Sequence, residues 1–141
     1  MFRTILVPID LDETEITRSA LEKAEALAEW SGAALRLVNV QRLLPATFMD
    51  FVPADFDMQQ KTDAEASLKN LAARLRMPHE RVSTVVRTGS VYPEVLAEAD
   101  AWGADLIVIG SHRPAMSTYL LGSNAKTIVR HAKCSVLVLR E

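Results

Sequence analysis

Five short apolar runs alternate with stretches of helical periodicity, and this alternation restricts the possible folds more than any other property of the chain. The first run, RTILVPI, is rich in β-branched residues, as in a strand that is buried on both faces. The five runs occupy residues 3–9, 34–40, 81–88, 104–110 and 134–140. Strands that alternate with helices form a parallel sheet with right-handed crossovers. The sequence therefore predicts a three-layer α/β/α fold with the doubly wound strand order 2-1-3-4-5 or 3-2-1-4-5.

Four helices are predicted between the strands from apolar residues at helical spacing. The second of them is expected over about residues 58–76. Small polar residues before a helix and glycine after it are typical of helix caps. The predicted caps are Asp12 and Gly32 for the first helix, Ser90 and Gly103 for the third, and Ser123 at the start of the fourth.

Composition restricts the class of protein and its partners. The chain has 141 residues, of which 49% are hydrophobic and 24% charged, so we expect a single globular domain over residues 1–141. A net charge of −2 argues against a nucleic-acid-binding surface, which needs clustered Lys and Arg. No apolar run reaches the roughly 20 residues of a membrane-spanning helix, and the first ten residues indicate a strand instead of a signal peptide. The single cysteine, Cys134, fits a reducing compartment, so a cytoplasmic protein is expected.

Two loops that are distant in the sequence are expected to meet at the carboxyl edge of the sheet. Ligands of doubly wound sheets bind at this edge, where the direction of winding reverses. If strands 1 and 4 are the central neighbours, the loops that follow them flank the ligand. These loops carry Pro8, Ile9 and Asp10 after strand 1 and Gly110, Ser111, His112 and Arg113 after strand 4. The sequence thus predicts a ligand site between the two strand ends.

The start of the fourth helix carries residues that favour an anion. Gly122, Ser123 and Asn124 open this helix, and its free N–H groups and dipole attract phosphate. Ser123 fits an ordinary N-cap equally well, and both roles are compatible. Gly110 either lets the backbone turn closely beneath a phosphate or ribose, or is a simple turn glycine.

Three polar side chains near the strand ends are suited to a nucleotide. Asp10 is suited to ribose hydroxyls or a phosphate-bound Mg²⁺, or it serves the turn beside Asp12 and Glu13. Arg113 presents a planar guanidinium to phosphate oxygens, or it fills the space and excludes them. His112 hydrogen-bonds a phosphate or a neighbouring carbonyl. No histidine pair has metal-ligand spacing, so no metal held by the protein alone is expected.

Four segments, in their order and spacing, resemble the universal stress protein family. They are ILVPID, LVNV, LIVIGSHR and LLGSNAKTIVRHAKCSVLVLR, and the similarity covers essentially the whole chain. The last segment is the most specific, with a Gly-Ser after two leucines, a helix, RHA, a cysteine and a terminal Val-rich strand. The resemblance implies the sheet order 3-2-1-4-5, a Rossmann-like fold related to the adenine nucleotide alpha-hydrolases, a homodimer and, in many members, bound ATP.

The resemblance also implies roles for individual residues. Val40 would read an adenine edge with its backbone and pack its side chain on the ring. The nucleotide motif of the family is a Gly, two residues, a second Gly, nine residues and Gly-Ser or Gly-Thr. Gly110 and the pair Gly122-Ser123 match its two ends, but Arg113 replaces the second glycine and the spacer is one residue shorter. SHRP followed by TYLLGSNA resembles a subclass of short bacterial members, some of which still hold nucleotide.

The final strand predicts self-association. It is apolar, alternating and at the edge of the sheet in this topology, and an exposed apolar edge invites pairing with a second copy. The resemblance implies a dimer as well. The residues expected to pair are Ser135, Val136, Leu137, Val138 and Leu139.

Two functions are left open by the sequence. The first is a cytoplasmic, homodimeric stress-response protein that binds ATP, AMP or ADP, with Mg²⁺ near Asp10 when a phosphate holds it. The second is an ATP-independent interaction protein whose site is closed by Arg113 and by the loop over residues 41–56. The sequence has no Walker Gly-Lys-Ser/Thr pattern and no evident Ser-His-Asp set. We therefore expect a binding module and not an enzyme, with slow ATP hydrolysis left open.

Overall fold

The computed structural model describes residues 1–12, 14–43, 54–110 and 123–140. Its strands are β1 (Thr4–Pro8), β2 (Ala34–Gln41), β3 (Val82–Thr88), β4 (Leu106–Gly110) and β5 (Ser135–Leu139). Its α-helices are α1 (Thr14–Ser31), α2 (Phe56–Ala73), α3 (Val91–Trp102) and α4 (Ser123–His131). A short 3₁₀ turn, His79–Arg81, precedes β3. Each predicted strand and helix is present, with ends shifted by a few residues.

The sheet is parallel and has the order β3-β2-β1-β4-β5. Of the two orders that the alternation allows, this is the one that the family resemblance implies. β1 therefore lies at the centre, between β2 and β4. This order places the carboxyl ends of β1 and β4 side by side, where the direction of winding reverses.

Helices cover both faces of the sheet, which confirms the predicted three layers. Successive side chains of a strand point to opposite faces. Ile5 of β1 accordingly packs in a core with residues of α1 and α2, whereas Leu6 packs in a second core with residues of α3 and α4. Both side chains are fully buried.

The helix boundaries confirm some predicted caps and correct others. Gly32 and Gly103 have φ angles of +74° and +78°, as expected of glycines that end a helix. Ser90 directly precedes α3 but makes no side-chain cap hydrogen bond with a described residue. Ser123, the predicted cap of α4, is the first residue of that helix. Asp12 does not directly precede α1, which begins two residues further on.

α2 ends earlier than its apolar pattern predicts. The predicted range was about residues 58–76, whereas the helix ends at Ala73. The backbone N–H groups of Arg74 and Leu75 bond the carbonyls of Leu71 and Ala72, three residues back. Such bonds tighten the last turn of a helix and end it.

A buried carboxylate attaches α3 to the sheet. Glu98 is only 5% exposed, and its two oxygens accept hydrogen bonds from Arg36 of β2 at 2.8 Å and Arg87 of β3 at 2.9 Å. Arg87 also donates to Glu94 at 2.8 Å, and the Arg36 guanidinium lies 4.6 Å from the ring centroid of Trp102. Every charge in this cluster therefore has an opposite charge or an aromatic face beside it, which offsets the cost of burying it.

Candidate functional site

β1 and β4 are tied together at their amino ends. The backbone N–H groups of Arg3 and Thr4 donate to the two carboxylate oxygens of Asp105, at 2.8 and 3.1 Å. The Thr4 hydroxyl donates to the carbonyl of Gly103 at 2.7 Å and accepts from the Asp105 N–H at 3.1 Å. These bonds fix the spacing of the two strands at the edge opposite to the predicted site.

The same two strands stop pairing before their carboxyl ends. Their ladder consists of Ile5 with Leu106 and Leu6 with Ile107. On the other side of β1, the ladder with β2 continues to Pro8 opposite Val38. The end of β1 is thus bound to β2 but not to β4.

Pro8 explains why the ladder with β4 ends. Successive N–H groups of a strand point alternately to its two sides, and the N–H of Ile9 donates to the carbonyl of Val38 on β2 at 2.7 Å. The position before Ile9 therefore faces β4. Pro8 occupies this position, and proline has no N–H to donate. The ladder therefore ends there, and the unpaired region between the carboxyl ends of β1 and β4 (residues 7–8 and 108–110) is termed the crevice.

The chain that leaves β1 is held by side chains of neighbouring elements. Asn39, which is 5% exposed, donates from its amide nitrogen to the carbonyl of Ile9 at 2.8 Å. Thr17 of α1 donates from its hydroxyl to the carbonyl of Asp10 at 2.9 Å. The Asp10 carboxylate is exposed and accepts the N–H of Asp12 at 2.9 Å. Asp10 thus performs the turn role that the sequence allowed, and this bond uses only one of its two carboxylate oxygens.

Val40 presents its backbone to the end of β1. The carbonyl of the next residue, Gln41, accepts the N–H of Gly89 beyond β3 at 2.9 Å, so Gln41 faces β3. By alternation, the N–H and C=O of Val40 face the opposite side of β2. They lie two residues past Val38, the last residue that pairs with β1. The Val40 side chain packs against the core beneath α3 and α4.

The other predicted site residues are placed only in part. Gly110 ends β4 opposite Leu139, at the same edge of the sheet as Pro8, Ile9 and Asp10. α4 precedes the parallel strand β5, so its first residues, Ser123 and half-buried Asn124, also lie toward this edge. The remaining predicted contacts, Ser111, His112, Arg113 and Gly122, lie outside the described residues, as does the 44–53 part of the predicted closing loop.

The described residues show neither a cluster of metal ligands nor a membrane-spanning helix. Among residues 1–12, 14–43, 54–110 and 123–140, no three His, Cys, Asp or Glu side chains come together as metal ligands. Within those same ranges, every helix is too short or too polar to cross a bilayer.

A small cavity of about 100 Å³ lies away from the crevice, near the amino edge of the sheet. The carboxyl-terminal parts of α3 and α4 line it, together with Cys134. Burial raises the pKa of the Cys134 thiol, and Asp100 and Asp105 raise it further. The raised pKa favours the neutral form of the thiol, which suits a packing residue and not a nucleophile.

Sequence analysis missed the groups that position the strand ends. Neither Asn39 nor Thr17 was predicted to have a role. One signal was present for Asn39, because it is a polar residue inside the apolar run LVNV. A polar residue between two valines of a buried strand needs a hydrogen-bond partner. The partner itself, the carbonyl of Ile9, becomes evident only from the register of β1 and β2.

Comparison with known proteins gives full-length similarity. The sequence profile of the universal stress protein family matches residues 1–140. Universal stress protein G of Escherichia coli O157:H7 is 37% identical over 143 aligned positions, which cover 99% of this chain and 100% of that protein.

Solved structures share the fold at lower identity. A universal stress protein in complex with cAMP has a TM-score of 0.73 and 18% identity, and the alignment covers 99% of this chain and 97% of that one. The universal stress protein of Archaeoglobus fulgidus in complex with dAMP has a TM-score of 0.67 and 18% identity, with 98% of each chain covered. At this level of identity the likeness shows the fold.

Proposed function

Because the chain belongs to the universal stress protein family, we propose that it is a stress-response protein that binds an adenine nucleotide in the crevice. The observation that carries the proposal is the end of the β1–β4 ladder at Leu6 and Ile107. Pro8 ends this ladder at the carboxyl edge, where parallel sheets bind their ligands. The crevice thus coincides with the position at which doubly wound proteins hold nucleotides.

The described residues supply two complementary contacts for a nucleoside. The backbone N–H and C=O of Val40 face past the end of β1, and they match the acceptor and donor on one edge of adenine. The exposed carboxylate of Asp10 is suited to the ribose hydroxyls, or to a Mg²⁺ ion that the phosphates bring with them. Pro8 and Ile9 form the wall between these two contacts.

The phosphates are proposed to lie toward the start of α4. Backbone N–H groups of Gly122, Ser123 and Asn124 would bind them, aided by the helix dipole. Gly110, Ser111 and His112 would approach from the end of β4. Arg113 would supply charge where the family motif has a glycine, because a guanidinium binds phosphate oxygens in a bidentate manner. ATP is the proposed ligand, with AMP and ADP as alternatives.

Two related complexes support an adenine nucleotide in particular. Universal stress proteins of the same fold are seen in complex with cAMP and with dAMP. The two ligands share an adenine and a phosphate but differ in the sugar and in how it is esterified. The shared groups are those that Val40 and the start of α4 are proposed to bind.

We further propose a homodimer that pairs through β5. This strand is the last one in the sheet order, so no strand of the described chain pairs with its outer edge. Leu137 at its centre is 39% exposed, and the flanking valines pack inward. The pairing residues are proposed to be Ser135, Val136, Leu137, Val138 and Leu139. The protein is proposed to act in the cytoplasm as one domain over residues 1–141 and as a non-catalytic module.

Titration calorimetry tests the nucleotide proposal directly. ATP, AMP, cAMP and dAMP are titrated into the full chain and into Arg113→Gly, with GTP as the control ligand. Binding of an adenine nucleotide by the unaltered protein supports the proposal, and a weaker affinity of Arg113→Gly assigns the arginine to the phosphates. Binding by Arg113→Gly alone would show that the arginine closes the crevice. The absence of heat from both proteins would refute nucleotide binding.

A further inference from the structure

We propose that Asn39 is a positioning residue of the nucleotide site, which holds the end of β1 against β2 so that Asp10 and Val40 face one ligand. This inference rests on the proposed function. It assigns to a buried amide a role that neither the apolar pattern nor the nucleotide motif indicates.

All described hydrogen bonds of the Asn39 side chain are internal to the protein. Its amide nitrogen donates to the carbonyl of Ile9 at 2.8 Å, and its oxygen accepts from the side-chain amide of Gln41. The residue is 5% exposed. It lies on the sheet face of Leu35 and Leu37, which pack with α1 and α2, whereas Val40 faces the other core. Asn39 therefore acts on the site through the backbone and not by touching the ligand.

The end of β1 needs such a bond because Pro8 has released it from β4. After the last β1–β4 pair, the chain stays hydrogen-bonded to β2, because the N–H of Ile9 donates to the carbonyl of Val38 at 2.7 Å. The carbonyl of Ile9 is the next group that must be bonded, and Asn39 provides its donor. A buried carbonyl that loses its donor keeps the full cost of leaving water, so the segment would shift to recover a partner.

A shift at Ile9 moves the groups that are proposed to bind the nucleotide. Asp10 follows Ile9 directly, and its own carbonyl is bonded by Thr17 of α1. Val40 follows Asn39 directly on β2. The bond from Asn39 to Ile9 thus joins the two chain segments that carry the ribose contact and the adenine contact. Its loss lets the distance between them vary, and ligands bind most tightly to groups that are already in place.

The experiment compares three variants of the full chain with the unaltered protein by calorimetry with ATP. Asn39→Leu removes the donor while keeping a side chain branched at Cγ, and is expected to weaken binding about tenfold, the equivalent of one hydrogen bond. Asn39→His keeps a ring N–H at a similar distance from the backbone and is expected to restore most of the affinity. Thr4→Val is the matched control. It removes a hydrogen-bonding hydroxyl from the amino end of β1, far from the carboxyl end that Asn39 holds. Asn39→Ala, which also removes the donor and adds no volume or charge, replaces Asn39→Leu if the latter does not fold.

A double-mutant cycle separates positioning from a general loss of stability. If Asn39 acts through Asp10, then Asn39→Leu changes the affinity of an Asp10→Ala protein by less than about twofold. A full tenfold loss in that background would overturn the inference, as would unchanged binding by Asn39→Leu alone. Equal losses in Asn39→Leu and Thr4→Val would also overturn it, because they would reflect stability.

Hydrogen exchange without nucleotide keeps this inference distinguishable from the proposed function. In the ligand-free protein, the amides of residues 9–12 are expected to exchange about tenfold faster in Asn39→Leu than in the unaltered chain, and at the original rate in Asn39→His. Unchanged exchange overturns the positioning role even if ATP binds. If no nucleotide binds but exchange responds as expected, the proposed function fails and Asn39 still positions the strand end.

Discussion

Leu6 and Ile107 are the last residues that β1 and β4 pair, although β1 continues for two residues and β4 for three beyond them. The residue that stops the pairing is Pro8, whose missing N–H lies where β1 would next donate to β4. At their amino ends, the same strands are joined through Thr4 and Asp105. β1 and β4 are therefore joined at their amino ends and unpaired at their carboxyl ends, and the proposed site lies between the carboxyl ends.

Replacing Pro8 by alanine is expected to extend the β1–β4 ladder and weaken nucleotide binding about tenfold or more. The new N–H adds a hydrogen bond but loses the restriction that proline places on the unfolded chain, so the free energy of unfolding should change by less than about 1 kcal/mol. Calorimetry with ATP and urea denaturation measure the two quantities. Pro78→Ala, before the 3₁₀ turn, is the matched control. Unaltered affinity in Pro8→Ala would show that the missing N–H does not shape the site.

Asp10→Asn separates the turn role of Asp10 from its proposed ligand role. Asparagine keeps an oxygen for the N–H of Asp12, so the turn and the stability should be retained. The loss of charge is expected to weaken ATP binding about tenfold and to remove any dependence of the affinity on Mg²⁺. Calorimetry with and without Mg²⁺ gives the answer, and Asp12→Asn is the control. An unchanged Mg²⁺ dependence would place the ion elsewhere.

Leu137→Lys is expected to convert the proposed dimer into a monomer. The side chain is 39% exposed at the centre of the edge strand, and a pair of lysines there would bring like charges together. Light scattering after size exclusion should report the 15.6 kDa of one chain, against twice that mass for the unaltered protein. Met58→Lys on α2 is the control, because Met58 is 73% exposed and far from β5 in the fold. A Leu137→Lys dimer would contradict pairing through this strand.

Glu98→Ala is expected to lower the free energy of unfolding by about 2–3 kcal/mol. The carboxylate is nearly buried and accepts bonds from two arginines, so Arg36 would lose its charged partner and Arg87 would keep only Glu94. By contrast, Asp100→Ala should cost less than about 1 kcal/mol, because its ion pair with Lys133 is exposed and 3.5 Å long. Urea denaturation compares the two variants. Similar losses in both would mean that the buried cluster adds nothing beyond a surface pair.

Cys134 is expected to react slowly with iodoacetamide at pH 8, about tenfold more slowly than a free cysteine. Burial raises the pKa of its thiol above the ordinary value of 9.0, so the folded protein favours the neutral form. The stability that this provides is complete below about pH 9.0 and is lost as the pH rises through the folded-state pKa. The free energy of unfolding should therefore fall more steeply above pH 9 than in Cys134→Ser. A fast reaction at pH 8 would contradict the raised pKa.

The secondary structure could be predicted because buried strands and amphipathic helices leave different apolar periods in the sequence. The run RTILVPI predicted β1 to within one residue at each end. The order of the strands was less determined, since alternation alone fits two sheets. The family resemblance selected the order 3-2-1-4-5. The pairing of β1 with both β2 and β4 is a long-range property that no local pattern encodes.

The candidate site was predictable where it depends on strand ends and not where it depends on buried polar pairs. Asp10 and Gly110 were identified because the loops after neighbouring parallel strands share one edge. Glu98 was not singled out, because a glutamate in a helix is usually exposed and the arginines that bury it come from two other strands. The effect of Pro8 on β4 likewise depends on which side of the strand its nitrogen faces, and this follows only from the register.

Proline at position 8 makes the spacing of β1 and β4 at the proposed nucleotide site a property of the main chain. Side chains near the proposed site can then be exchanged in evolution without an extension of the β1–β4 pairing. In the sequence, Arg113 replaces a glycine of the family motif. The preference for one phosphate ligand over another would then change while the spacing of the two strand ends stays the same. The feature common to such a series would be a residue without a backbone N–H at position 8.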